Sequence, residues 1–246
     1  MATHILITGA ASGIGLACAQ HLATHGTQRL VLVDRDADAL ARIALPVSID
    51  RLIGDVRDEA MWDDAAPLLA GIDAAVVNAG VAGAGAIADL SFAEWQRIVS
   101  VNLDGAFLSL RAAMRAMKGS GGAIVATGSA AGIKPEAGVA AYGASKAALL
   151  HLVKVAAKEG APERIRVNAV APAGVETPVW DGVPMFAERA AQIGRDAAFA
   201  ELAAMATPLG RYARPAEIAA QVTFLLSDAA ALITGTTLVC DGGYTL

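Results

Sequence analysis

The sequence is short of aromatic residues, cysteine and charge. Phe, Trp and Tyr make up 4% of the 246 residues and charged residues 17%, while 55% are hydrophobic. That balance excludes a disordered chain, and a chain this long builds a core without disulfides or a structural metal. The two cysteines, Cys18 and Cys240, lie at opposite ends, with no C-x-x-C pair and no Cys/His cluster at ligand spacing. They read as buried thiols of a reducing compartment, and no metal is expected. A net charge of −5 leaves no basic excess for nucleic acid. Met1 to Gln28 holds no Asp, Glu, Lys or Arg, yet it lacks the positive start of a leader. Thr8-Gly9, Ser12-Gly13 and His4, Gln20, His21 and His25 break the apolar run that a membrane span needs. A soluble, cytoplasmic protein is expected.

What is present alternates between short apolar runs and helical spacing. His4–Thr8 and Arg29–Asp34 are apolar without alternation, as in strands buried on both faces. Arg51–Ile53, Ala74–Val77, Ala123–Ala126, Ile165–Val170 and Thr237–Val239 are further strand candidates. Alanine-rich helical segments lie between them, Phe92 to Met117 and Ala140 to Lys158 being the longest. Such an order implies right-handed βαβ units and one parallel α/β sheet covered on both faces. No linker composition divides residues 1–246, so one domain is expected. Residues 177–208 depart from the alternation and gather Trp180, Met185, Phe186, Phe199 and Met205. They are expected to form a substrate-binding lid over the crevice at the strands' carboxyl ends; a surface helix with an ordinary apolar stripe is the alternative.

After the first strand comes Thr8-Gly9-Ala10-Ala11-Ser12-Gly13-Ile14-Gly15. Its glycines permit a tight turn, and the N–H groups of the following helix can receive a pyrophosphate. The second strand ends at Asp34, near the distance at which such folds place an acid for a ribose 2′-hydroxyl. A carboxylate there favours NAD and repels the extra phosphate of NADP. Arg35 beside it is the one local cation, and a plain helix cap before Ala37 is the alternative reading of Asp34. Tyr142-Gly-Ala-Ser-Lys146 sets a phenol and an ammonium one helical turn apart. Tyrosine, with a reference pKa of about 10, needs a neighbouring cation to serve as a base near neutrality. A surface tyrosine beside a solvated lysine is the structural alternative.

Together these motifs resemble the classical short-chain dehydrogenase/reductase superfamily over essentially the whole chain. Asn78-Ala79-Gly80 after the fourth strand, Asp55-Val56, the segment Asn168–Thr177 and the closing Asp241-Gly242-Gly243 add to the match. The resemblance implies a Rossmann-type doubly wound sheet of about seven strands in the order 3-2-1-4-5-6-7. It implies a tetrad in which Tyr142 is the acid/base, Lys146 lowers its pKa and bonds the nicotinamide ribose, Ser129 orients the substrate oxygen, and Asn102 holds a relay water. Gly9, Ser12, Gly13, Ile14 and Gly15 would meet the pyrophosphate, Asp34 and Arg35 the adenosine ribose, and Asp55 and Val56 the adenine. Asn78, Ala79 and Gly80 would lie along the cofactor, with Pro172, Val175 and Thr177 at the carboxamide. The family's usual glycine after the proline is replaced here by Ala173, for which Gly174 is expected to restore backbone freedom.

The activity so implied is NAD-dependent interconversion of a secondary alcohol and a ketone. An NADPH-dependent 3-ketoacyl reductase and a catalytically silent NAD-binding protein are the rivals. Asp34 and the neutral Ala11 and Ser12 speak against the first, the complete tetrad against the second. Enoyl reductases of the superfamily space their tyrosine and lysine more widely. Ala131, Gly174, Trp180, Met185 and Phe186 are expected to line an apolar pocket for a small or cyclic alcohol. By analogy, helices starting at Phe92 and Ala140 would pair subunits into a homotetramer or dimer.

Overall fold

A computed structural model describes residues 2–246, apart from the side chain of Pro184. Seven strands form one sheet: β1 (His4–Thr8), β2 (Arg29–Asp34), β3 (Ser48–Ile53), β4 (Ala74–Val77), β5 (Gly122–Thr127), β6 (Ile165–Pro172) and β7 (Thr237–Cys240). Their order is β3-β2-β1-β4-β5-β6-β7, and every pairing is parallel. The missing alternation has a direct cause. Leu6, Val31, Val33, Ala75, Val77, Ile124 and Ala126 point into one core, and Ile5, Ile7, Leu30, Leu32, Ala74, Val76 and Val125 into the other. Neither face meets water, so both phases of the two-residue repeat are apolar.

The second of these faces is covered by α1 (Gly13–Ala23), α2 (Ala37–Ala41) and α9 (Pro215–Leu226), the last packed on α1. On the other face lie α3 (Glu59–Asp64), α5 (Ala106–Met117) and α6 (Ala140–Gly160). α4 (Phe92–Val99) leads into α5 through a π-helical segment, Ser100–Gly105. α7 (Pro184–Ile193) and α8 (Arg195–Ala206) stand apart with their own small apolar cluster. No helix among the described residues is long and apolar enough to cross a membrane.

β5, β6 and β7 run one or two residues past their expected ends, and two elements differ from the sequence reading by more. β3 begins at Ser48, three residues before the expected apolar run. It is an edge strand, so polar residues are tolerated, and Asp50 pairs with Arg29 of β2 at 2.5 Å. The helix expected from Phe92 to Met117 is present, but its middle widens into the π turn. Such turns insert a residue and often occur at functional sites.

The strand order reverses between β1 and β4, which opens a crevice at their carboxyl ends. Gly9, Asn78 and Ala173 follow directly on strands β1, β4 and β6, and Ser129 follows β5 after one intervening residue.

Candidate active site

The glycine turn is built for close approach. Gly9 has φ +65°, and a Cβ on it would lie 2.9 Å from Ala79 Cα. At Gly15 a Cβ would lie 2.0 Å from the Gly9 carbonyl oxygen, so helix α1 can start this near the turn only with glycine there. Ser12 is the cap residue of α1, yet its hydroxyl bonds nothing in that helix, and no acid sits in the first turn. The helix start therefore offers N–H groups and a hydroxyl to an anion. A Cβ on Gly13 would sit 3.4 Å from the Thr177 methyl, so only a narrow gap separates the turn from the segment after β6.

Asn78 belongs to the scaffold of this turn. Its Nδ2 donates to the carbonyls of Thr8 and Gly9 at 3.1 and 3.2 Å, and its Oδ1 accepts from the Thr127 hydroxyl at 3.1 Å. The Thr8 hydroxyl, wholly buried, accepts from the N–H groups of Asn78 and Ala79. Thr8 and Thr127 thus tie three strand ends together. Reading apolar runs for strands passes over such buried hydroxyls.

Asp34 does not cap helix α2; Asp36 does, accepting from Ala39 N–H at 2.9 Å. The Asp34 carboxylate accepts instead from Ala11 N–H in the glycine turn (2.9 Å) and from Asp36 N–H (3.0 Å). It is held at the rim of the turn with acceptor capacity to spare. Both oxygens of Asp55 are engaged by Arg57, whose guanidinium bonds hold the carboxyl below the usual carboxylate range. Val56 is buried and its carbonyl accepts from Trp62 Nε1.

The four tetrad residues converge. Lys146, one turn after Tyr142 on α6, is 4% exposed and donates to the Thr127 carbonyl at 2.8 Å. It is not a solvated lysine. Its ammonium lies 5.8 Å from the centre of the Tyr142 ring, and burial lowers its pKa to about 8. Burial raises the Tyr142 phenol, and the Ser129 hydroxyl beside it pulls the other way. Asn102, in the π segment, has no exposed surface. Its Oδ1 accepts from Val81 N–H at 2.8 Å, and its Nδ2 donates to Val81 O and Ser145 Oγ. Ser145 Oγ in turn donates to the Tyr142 carbonyl at 2.7 Å. The Asn102 amide therefore ties the loop after β4 to helix α6.

The buried lysine has a pH signature. Its folded pKa of about 8 lies below the ordinary 10.5, so between those values the unfolded chain binds more protons than the folded one. Stability contributed at this site therefore rises with pH through that window. Lys146→Met is expected to flatten the rise between pH 8 and 10 in denaturant melts of the cofactor-free protein. A curve unchanged by the substitution would show that the group titrates elsewhere.

The expected pocket residues fall into different places. Phe186 is fully buried, 4.4 Å centre to centre from Phe199, and packs inside the small cluster rather than along the crevice. Trp180 stacks on Tyr212 and donates to the Val175 carbonyl at 2.9 Å. Gly174 lies beneath Tyr212; a Cβ there would meet the ring at 2.3 Å. Its backbone is not left-handed, so glycine serves a close ring contact and not the freedom expected to offset Ala173. Ala131 is half-buried beside Ser129, and Met185 is exposed. Arg195, not among the expected site residues, packs over Phe186 and Phe199, pairs with Asp181 and donates to the Thr177 carbonyl at 2.8 Å. It ties the start of α8 to the segment after β6.

With this geometry in view, residues 9–245 match the family described as Enoyl-(Acyl carrier protein) reductase. The chain is 39% identical to cis-4-hydroxycyclohexanecarboxylate dehydrogenase of Sinomonas cyclohexanicum, over 98% of this chain and 95% of the relative. Among solved structures, L-sorbose reductase from Gluconobacter frateurii, complexed with NADPH and L-sorbose, superposes with a TM-score of 0.90. It is 29% identical, over 98% of this chain and 96% of that one. A 3-ketoacyl-(acyl-carrier-protein) reductase from Brucella melitensis, complexed with NADH, superposes at 0.86 with 30% identity, over 99% and 98%.

Proposed function

This chain belongs to the short-chain dehydrogenase/reductase superfamily, and from that premise we propose that it interconverts a secondary alcohol and a ketone with NAD. The observation that carries the reading is the meeting of Ser129, Tyr142 and buried Lys146 at the carboxyl ends of the strands. The nicotinamide, when bound, supplies the hydride chemistry. The chain's own residues handle the proton and the positioning. Tyr142 Oη takes the hydroxyl proton during oxidation and returns it during reduction. Ser129 orients the substrate oxygen, and the Lys146 ammonium favours phenolate. Asn102 acts as a positioning residue, because its amide is already spent on Val81 and Ser145.

The free Ser12 hydroxyl, the uncapped start of α1 and the glycine faces fit a pyrophosphate. Gly9, Gly13, Ile14 and Gly15 would line it, and Asp34, with Arg35 beside it, would take the adenosine ribose. Asp55 and Val56 would border the adenine, Ala79 and Gly80 the cofactor's inner edge, and Pro172, Val175 and Thr177 the carboxamide. NAD is favoured over NADP by charge. A carboxylate anchored by Ala11 N–H accepts from a ribose hydroxyl and repels a phosphate. Asp34→Ala is expected to lower kcat/KM for NAD by about 10- to 100-fold, the worth of a hydrogen bond to a charged acceptor. Activity with NADP should change little or rise, and an unaltered NAD/NADP ratio would move the ribose contact to another residue.

The substrate reading is a small apolar or cyclic alcohol. Ala131 leaves room beside Ser129, and Met185 and Trp180 offer apolar surface. Exposed Phe92, Phe107 and Val155 on the long helices support pairing of subunits. The direct test is reduction of NAD, followed by absorbance, over a panel of cyclic and open-chain secondary alcohols, with NADP in parallel. Turnover identifies the reaction; silence with both cofactors, alongside measured NAD binding, would favour a silent binder.

A further inference from the structure

The segment from Ile133 to Val139 joins the two halves of the catalytic machinery. Ser129 precedes it by one short turn, and Tyr142 follows it on the first turn of α6. At its far end Gly138 O accepts from Gly85 N–H at 2.7 Å, and Val139 O from Gly143 N–H. Its middle is tied to the end of the chain. Tyr244 Oη donates to Glu136 Oε1 at 2.7 Å, and Lys134 Nζ donates to the Tyr244 carbonyl at 2.8 Å while lying 4.5 Å from the centre of its ring.

The chain end is itself a built turn. The Asp241 carboxylate accepts from the N–H groups of Gly243 and Thr245 and from the Thr245 hydroxyl. Gly242 and Gly243 take left-handed φ values of +64° and +88°. Gly242 O accepts from Leu209 N–H at 3.0 Å, and a Cβ on Gly243 would strike Pro208 at 2.9 Å. The turn is thus seated on Pro208 and Leu209, just beyond the end of α8. Lys134, Met205, Thr207, Pro208 and Tyr244 border an open groove at the surface. The contacts across it between the segment and the chain end are the polar ties of Lys134 and Glu136 to Tyr244.

We propose that Tyr244 is a positioning residue for substrate. Through Glu136 it fixes the segment between Ser129 and Tyr142 against the turn seated just beyond α8, and so sets the width of the crevice on its alcohol side. This rests on the reading of the site as an alcohol dehydrogenase and adds its specificity control. Neither side chain touches the cofactor turn.

The test is steady-state kinetics of Tyr244→Phe, Glu136→Gln and the double variant, on an alcohol that the wild-type protein oxidises. Tyr244→Phe keeps the ring over Lys134 and removes only the hydroxyl. Each single variant is expected to raise the alcohol KM about fivefold, the worth of one partly exposed hydrogen bond to a charged group. kcat, the NAD KM and the melting temperature should stay near wild type, and the double variant should be no worse than the singles. Amide exchange in residues 133–139 should quicken in Tyr244→Phe. An unchanged alcohol KM, or a KM that moves only together with the NAD KM and melting temperature, overturns the proposal. A wild-type protein that oxidises no alcohol would instead overturn the activity on which it rests, and the exchange measurement would still report on the tie itself.

Discussion

Tyr142→Phe is expected to cut turnover by about three orders of magnitude, within the 10²–10⁴ range of a positioned general acid/base, while NAD affinity stays within a few-fold. The substitution deletes one oxygen and leaves the ring on α6. Among the described residues that oxygen's side-chain partner is the Ser129 hydroxyl, and the Lys146 ammonium lies 5.8 Å from the ring centre. Lys146 keeps its bond to Thr127 without it, so the lysine that would meet the cofactor stays in place. Calorimetric titration with NAD and the absorbance assay on the best alcohol separate binding from chemistry. Retained turnover would remove Tyr142 from the proton path; lost NAD binding would make it a structural residue.

Lys146 also bears on how the rate varies with pH. Alone in the buried site, the phenol sits above its ordinary value and the ammonium below its own. Each group, by desolvation, favours its neutral form. In the proposed mechanism the ammonium is the group that would offset the phenolate's loss of water, and the four-residue step between Tyr142 and Lys146 is what brings the two side chains together.

Much of this was legible because the sheet is buried on both faces. Strands β1, β2 and β4 run between the very residues that bound their apolar runs, since a strand with two covered faces has no polar residue to blur its ends. The edge strand β3 was read short because one open side admits Ser48 and Asp50. The π turn at Asn102 was not legible, because its residues keep the helical spacing of their neighbours and only the hydrogen-bond ladder changes. Asn78 and Asn102 were read for their place beside cofactor and relay water; not legible were the bonds their amides make to the backbone of Thr8, Gly9 and Val81 and to the hydroxyls of Thr127 and Ser145. Such partners are some 20 to 70 residues apart. Trp180, Met185 and Phe186 were read as the wall of a crevice; not legible was that Phe186 packs with Phe199 and Tyr212, because a segment that leaves the main core makes a core of its own.

That small core leads to the last expected result. Phe186→Ala is expected to cost about 3–5 kcal/mol locally, the usual penalty for emptying a buried phenylalanine site. Phe186 has no exposed surface and meets Phe199, Trp180 and the Arg195 guanidinium. Its cluster contains Ala198, Phe199, Ala203 and Tyr212 and none of the residues of the two sheet cores. So small a unit, made of two helices and a loop, has little stability to lose, and local opening is the expected response. Protease cleavage and amide exchange in residues 178–206 should therefore rise steeply, while the melting temperature of the sheet moves far less. Activity should fall as well, because Arg195 rests on the Phe186 and Phe199 rings while it holds the Thr177 carbonyl and Asp181. Loss of that platform frees Thr177, one narrow gap away from Gly13 of the glycine turn. Phe186→Leu, which refills most of the volume, should recover a large part of both protection and turnover. A Phe186→Ala protein with wild-type exchange in α7 and α8 and full activity would mean that the lid is held by its contacts with the sheet and not by its own aromatic core.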